Sequence, residues 1–220
     1  TLPAPMPKGN IHRIGVHGME IPLVRKGFQD DKTGRAFELL ARAGVDTLRT
    51  AELCWHRLGK DAPASFDFEN IDYQVEQAGR YGMNFMFTIG YPAAKFNRHP
   101  FHLSTFKPEH EALFREYLRL ILPRYDRYAQ YWEYANEVDA PKVWWRNATP
   151  QDYVRDCRIL REEMDKLGIR TPVLGISATY SRNASHDKDG EGQEFTRRCL
   201  TAGLERYIDG YSLHYTWQMK

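Results

Sequence analysis

The segment Tyr131-Trp132-Glu133-Tyr134-Ala135-Asn136-Glu137-Val138-Asp139 runs through aromatic side chains and ends in an amide and carboxylic acids. A carboxyl group among rings is poorly solvated, which favours its neutral form and raises its pKa. Glu137 is therefore expected to hold a proton near neutral pH and to donate it, which is the work of a general acid. A solvated glutamate in a loop is the plainer account of a lone Asn-Glu pair, so the reading depends on what the rest of the chain brings to the same place. Two other stretches qualify. Arg49, with Thr50, Glu52 and Trp55 close behind, supplies a fixed cation beside which a carboxylate stays ionised. His214-Tyr215, with Trp217 just after, supplies an imidazole, a phenol and a ring. Tyr91, Trp144, Trp145 and Tyr180 fall near expected strand ends, where rings can stack on a ligand as readily as they pack in a core.

These groups act together only if the chain carries them to one opening. Ile11 to His17 alternates loosely and ends at Gly18, as a first strand does. Asp31 to Ala43 puts Phe37, Leu40 and Ala41 on one helical face and stops at Gly44. Val45 to Arg49 is the second strand. A helix through Ile71, Val75 and Ala78 closes at Gly82, and Met83 to Ile89 follows as a strand apolar on both faces, as in a parallel sheet. A helix from about Pro108 buries Leu113, Phe114, Tyr117, Leu118 and Ile121 until Pro123 interrupts it. The aromatic segment is then the fourth strand, with Asn136 and Glu137 at its C-terminal end. Thr149 as N-cap, Pro150 at the first helical position and Asp152 in the first turn start another helix, whose apolar face runs from Val154 to Leu167 and which Gly168 ends. Pro172 to Ile176, a helix around Phe195 to Ala202, and Ile208 to Tyr215 complete six strand-helix units.

A repeat of about 35 to 40 residues favours a parallel α/β sheet. A doubly wound open sheet would usually carry a Gly-rich phosphate turn, and neither G-x-G-x-x-G nor a P-loop occurs. The expected fold is a (β/α)8 TIM barrel with its first six βα units in this chain, residues 1–220 forming one catalytic-type domain. A closed barrel needs eight units and about 250 residues. The domain is therefore expected to be incomplete at its C-terminal end.

Composition narrows the function classes. The chain has 220 residues, 42% of them hydrophobic, enough for a substantial core. With 31 basic and 29 acidic residues the formal charge is +2, so no electrostatic footprint for nucleic acid exists. No apolar run approaches the roughly 20 residues that span a bilayer. Cys54, Cys157 and Cys199 form no Cys-x-x-Cys, so reduced core thiols are expected. His99-x-x-His102 with His110-Glu111 lacks metal-protease spacing, and no G-x-S-x-G elbow is present, so neither a metal nor a cofactor is expected. The chain begins at Thr1 without a signal peptide, as after removal of a leader or trimming. Two Asn-x-Ser/Thr sequons, at Asn147 and Asn183, leave the compartment open, extracellular or periplasmic over cytoplasmic.

Taken in order, three motifs resemble the clan A glycoside hydrolases, the retaining (β/α)8 glycosidases. Trp132 to Glu137 is similar to the clan's acid/base strand. Leu48-Arg49-Thr50 with Trp55 is similar to its second strand. Asp209 to Tyr215 resembles the sixth strand of families 39 and 51, the xylosidase, iduronidase and arabinofuranosidase types. The resemblance implies cleavage of carbohydrate by double displacement, with Glu137 as acid/base and Asn136 holding the hydroxyl next to the reacting carbon. Arg49 would orient the nucleophilic carboxylate; His214, Tyr215, Trp55, Tyr91 and Trp217 would line the substrate site. The clan's nucleophile is a glutamate ending strand seven, so it is expected beyond residue 220. Glu20 and Glu52 are expected to bind sugar or to be structural. A non-catalytic carbohydrate-binding barrel is the alternative.

Overall fold

A computed structural model of the chain describes residues 15–17, 31–99, 103–140, 145, 147–178 and 191–214. Its strands are β1 (Gly15–His17), β2 (Thr47–Thr50), β3 (Asn84–Ile89), β4 (Ala129–Tyr134), β5 (Val173–Ala178) and β6 (Gly210–Leu213). All five pairings are parallel and join strands consecutive in sequence, giving the order β1-β2-β3-β4-β5-β6. A doubly wound sheet reverses its strand order at a switch point, and this sheet never does. Its progression is that of a TIM-barrel wall, six of the eight staves. Between the strands lie α1 (Asp31–Arg42), the short α2 (Trp55–Leu58), α3 (Glu69–Arg80), α4 (Glu111–Tyr125), α5 (Pro150–Lys166) and α6 (Glu191–Thr201).

The helix ends follow from local sequence. At the start of α5 the Thr149 hydroxyl accepts from the Asp152 N–H and the Asp152 carboxylate accepts from the Thr149 N–H, a reciprocal capping box. Beyond α5, Gly168 has φ +70° and the next N–H, of Ile169, reaches the Met164 carbonyl at 2.9 Å. That is a Schellman stop, and the same bond pattern ends α1 at Gly44 and α3 at Gly82. One expectation fails here. Pro123 does not interrupt its helix, because α4 continues to Tyr125. Pro123 lies in the last turn, where its missing N–H removes one bond, and the turn is held by buried Leu122 and by the Tyr125 hydroxyl, which donates to Asp72 at 2.7 Å.

The core fills the space between the sheet's outer face and the helices. On β4, alternation sends Trp132 and Tyr134 outward: Trp132 packs on Phe87 and Tyr134 on Phe114 and Tyr153. Glu133, between them, faces the other way and stands in register with Thr88 of β3. All three cysteines are free and buried, as expected. Among the described residues no helix is long and apolar enough to cross a membrane.

Candidate active site

Arg49 of β2 occupies the centre of the C-terminal rim. Its Nε and Nη2 donate to Oε2 of Glu133 at 2.9 and 2.5 Å, and Nη2 also reaches Asn136 Oδ1 at 2.7 Å. Nη1 lies 3.1 Å from Nδ1 of His17, at the end of β1. The Thr88 hydroxyl adds a third donor to Glu133 Oε2, at 2.6 Å. Glu133 is fully buried, and its other oxygen, Oε1, has no partner. Sequence reading assigns Glu133 no role. The signal was present: period-2 alternation through the ring-rich strand puts Glu133 on the face opposite Trp132 and Tyr134, where a buried acid needs a cation.

Beyond β4 the backbone turns through two left-handed residues, Ala135 at φ 59° and Glu137 at φ 51°. Such conformations cost of order 1 kcal/mol or more outside glycine, so surrounding bonds must impose them. The Ala135 N–H donates to the Ile89 carbonyl at 2.9 Å and the Glu137 N–H to the Ser177 carbonyl at 3.2 Å. Between them, the Tyr91 hydroxyl accepts from the Asn136 N–H at 2.8 Å and donates to the Asn136 carbonyl. Burial holds the Tyr91 phenol well above its ordinary pKa, so it keeps the proton that this clamp requires. Tyr91 itself is placed by Gly90 at φ +106°, where a Cβ would come within 3.0 Å of the Tyr134 ring.

The Glu137 side chain is partly exposed, and its Oε1 lies 2.9 Å from Nδ1 of His214. On the far side of the imidazole, Nε2 is 2.7 Å from the Ser177 hydroxyl, which Arg49 Nη2 approaches at 3.4 Å. The Ser177 hydroxyl also lies 3.5 Å from Asn136 Oδ1. With a proton on Nδ1, His214 would offer it to the Glu137 carboxylate.

These side chains wall a cavity of about 630 Å³ that includes Arg49, Thr88, Tyr91, Asn136, Glu137 and His214, with His56 and Arg57 on the α2 side. Among the described residues that line it, Glu137 is the one carboxylate. No cluster of three or more His, Cys, Asp or Glu suited to a metal occurs among the described residues.

Of the residues singled out from sequence, Arg49, Asn136, Glu137 and His214 meet at this cavity. Tyr91 lines it too, but at 2% exposure with its hydroxyl committed to the Asn136 peptide it is a support and not a stacking platform. Trp55 is a correction. It is fully buried, its ring 5.0 Å from Phe96 and 5.7 Å from Tyr117, with its indole N–H on the Asp61 carbonyl. Opening α2, it is turned toward α4 and forms part of the core. Trp145 is likewise buried, between Tyr134 and Tyr153. Glu52 accepts from Asn70 Nδ2 at 2.8 Å, a structural role. Tyr215, Trp217, Glu20, His102, Trp144 and Tyr180 lie outside the described residues.

No protein-family model matches the chain, and no curated protein does. Solved structures do match, several of them glycoside hydrolases. A family 39 glycoside hydrolase from the gut symbiont Bacteroides cellulosilyticus WH2 superposes with a TM-score of 0.66 at 19% identity, over 91% of this chain and 37% of its own. The catalytic domain of the GH30 xylanase C from Talaromyces cellulolyticus gives 0.54 at 12%, over 85% and 49%. A glucosidase from Croceicoccus marinus gives 0.58 at 14%, over 81% and 39%. The chain thus spans between 37 and 49% of the length of these structures. Identities this low establish the fold, a TIM-barrel wall of the kind glycoside hydrolases use.

Proposed function

We propose that the protein is a retaining glycoside hydrolase that cleaves O-glycosidic bonds in poly- or oligosaccharides by double displacement, with Glu137 as general acid/base. The observation that carries this reading is the Glu137–His214 pair at the rim of a parallel barrel wall, beside an Arg49–Asn136 pair in the same cavity. Active sites of this fold sit at that rim. The glycoside hydrolases among the structural neighbours support the same reaction class.

Retention requires two carboxyls roughly 5 to 5.5 Å apart, one protonating the leaving oxygen and one attacking the sugar carbon. Glu137 supplies the first, and the reading places the second on a seventh strand, after residue 220. In the first step Glu137 gives its proton to the departing oxygen. In the second, with the nucleophile's charge consumed, it takes a proton from water. His214 Nδ1–H would stabilise Glu137 in the ionised form that links the two steps. Asn136, its Oδ1 occupied by Arg49, would offer Nδ2–H to the hydroxyl next to the reacting carbon.

Replacing Glu137 by alanine is expected to abolish hydrolysis of natural glycosides while sparing the first step on aryl glycosides with acidic leaving groups, which need no protonation. Equal loss on both substrate types would refute the acid/base assignment. One observation favours a second reading, a carbohydrate-binding barrel without turnover: a single carboxylate lines the cavity among the described residues. Saturable sugar binding without hydrolysis by the full-length protein would select it.

A further inference from the structure

The geometry points to Glu133 as the positioning residue of this site, acting through Arg49 to set which end of the Asn136 amide faces the ligand. Three donors from two strands converge on its Oε2: Arg49 Nε and Nη2 from β2 and the Thr88 hydroxyl from β3. A carboxylate gripping one edge of a guanidinium fixes the plane and rotation of that group. The remaining direction of Nη2 is then set, and it ends at Asn136 Oδ1, 2.7 Å away.

That bond decides the amide's orientation. A primary amide has one acceptor and one donor end, and Arg49 can only donate, so Oδ1 turns toward it. Nδ2 is left as the polar end of a side chain that lines the cavity. The site therefore presents a donor, suited to an acceptor such as a sugar hydroxyl oxygen. Without Glu133, the guanidinium would be free to swing toward His17, whose Nδ1 is already 3.1 Å from Nη1. The Ser177 hydroxyl, 3.5 Å from Oδ1, would then be the one remaining donor among the described residues to oppose a flip of the amide. Glu133 is fully buried and is not among the residues lining the cavity, so it does not touch a ligand there. Its effect passes through two intermediaries.

The chemical consequence rests on the proposed glycosidase reading, whereas the geometric claim does not, and two measurements separate them. The first is nuclear magnetic resonance of the full-length protein, with the Asn136 side-chain amide assigned from its loss in Asn136→Asp. Glu133→Gln is expected to shift or broaden that resonance while most backbone resonances stay in place. An unchanged Asn136 amide would overturn the positioning role whether or not the protein hydrolyses glycosides. Should Glu133→Gln fail to fold, Arg49→Lys serves as the second variant. It keeps the charge but loses the planar fork whose Nη2 spans Glu133 and Asn136, so the same spectral change is expected, and an unmoved amide would again overturn the claim.

The second measurement is kinetic. On glycosides bearing the hydroxyl next to the reacting carbon, Glu133→Gln is expected to lower kcat/KM by about 10- to 100-fold, the scale of a misplaced contact. On the matching 2-deoxy glycosides the loss should shrink to a few-fold, because the contact is absent in both proteins. Equal losses on the two substrates would assign Glu133 a merely structural role and refute the proposal. Absence of hydrolysis by the unmodified full-length protein would defeat the glycosidase reading and leave the spectroscopic test to decide the positioning role.

Discussion

Glu133 lies on the inner face of β4, and Asp156, on α5, lies behind its outer face; both are fully buried. Asp156 is bonded through both oxygens. Its Oδ1 accepts from Arg155 Nε and Nη2 at 2.9 and 2.6 Å, and its Oδ2 from the hydroxyls of Thr105 and Tyr134 at 2.5 and 2.8 Å. Glu133 gathers all its donors on one oxygen and leaves the other without a partner. A closed network serves rigidity, since each member holds the others. A half-satisfied buried group is a departure that a fold tolerates where positioning matters more than stability. One strand thus divides two buried carboxylates that are bonded in opposite ways.

The largest expected effect is on the closed side. Asp156→Ala leaves Arg155, Thr105 and Tyr134 facing a void and should cost about 3 kcal/mol or more of stability. Chemical denaturation measures this, and a loss below about 1 kcal/mol would erase the distinction between the two carboxylates. The pH dependence sharpens it. Burial raises the Asp156 carboxyl from 3.8 to about 6, against the opposing pull of Arg155. A carboxyl raised in the folded state stabilises when protonated: its contribution is complete below pH 4 and is lost as pH rises through 6. That loss amounts to about 3 kcal/mol. Asp156→Asn should flatten this part of the stability curve relative to the parent, and an unchanged slope in paired denaturation series would contradict the assignment.

A matched pair of smaller changes compares the two faces directly. Thr105→Val and Thr88→Val each remove one hydroxyl donor from a buried carboxylate, at a cost of about 1.5 to 3 kcal/mol. Both should lower the melting temperature, but only Thr88→Val should disturb the Asn136 side-chain amide resonance. Disturbance by both would mean that β4 does not insulate its two faces. The smallest effect sets the baseline: Thr149→Ala, which opens the capping box and leaves every bond to Asp156 and Glu133 in place, should cost about 1 kcal/mol by thermal denaturation.

The contrast between the faces also tracks what the sequence disclosed. Helix stops at Gly44, Gly82 and Gly168 and the start at Thr149 were legible because each rests on a few neighbouring residues. The order of six parallel strands followed from their regular alternation with helices. Within the site, Arg49, Asn136, Glu137 and His214 were legible because polar side chains at strand ends have few structural uses. Trp55 and Tyr91 were not, since a ring at a strand end reads the same whether it faces a ligand or a helix, and only the packing of α2 and α4 decides. Ser177, now between Arg49 and His214, carried no local signal at all. Pro123 shows the limit of single-residue rules, because two buried side chains outweigh one missing N–H.

Ala135 and Glu137 hold left-handed backbone between bonds anchored on β3 and β5. Adding or deleting a residue between Tyr134 and Val138 would put both anchors out of phase, so this short passage cannot drift in length as surface loops do. The length of this passage is thereby fixed: loops around the opening can be rewritten while Glu137 keeps its address at the rim.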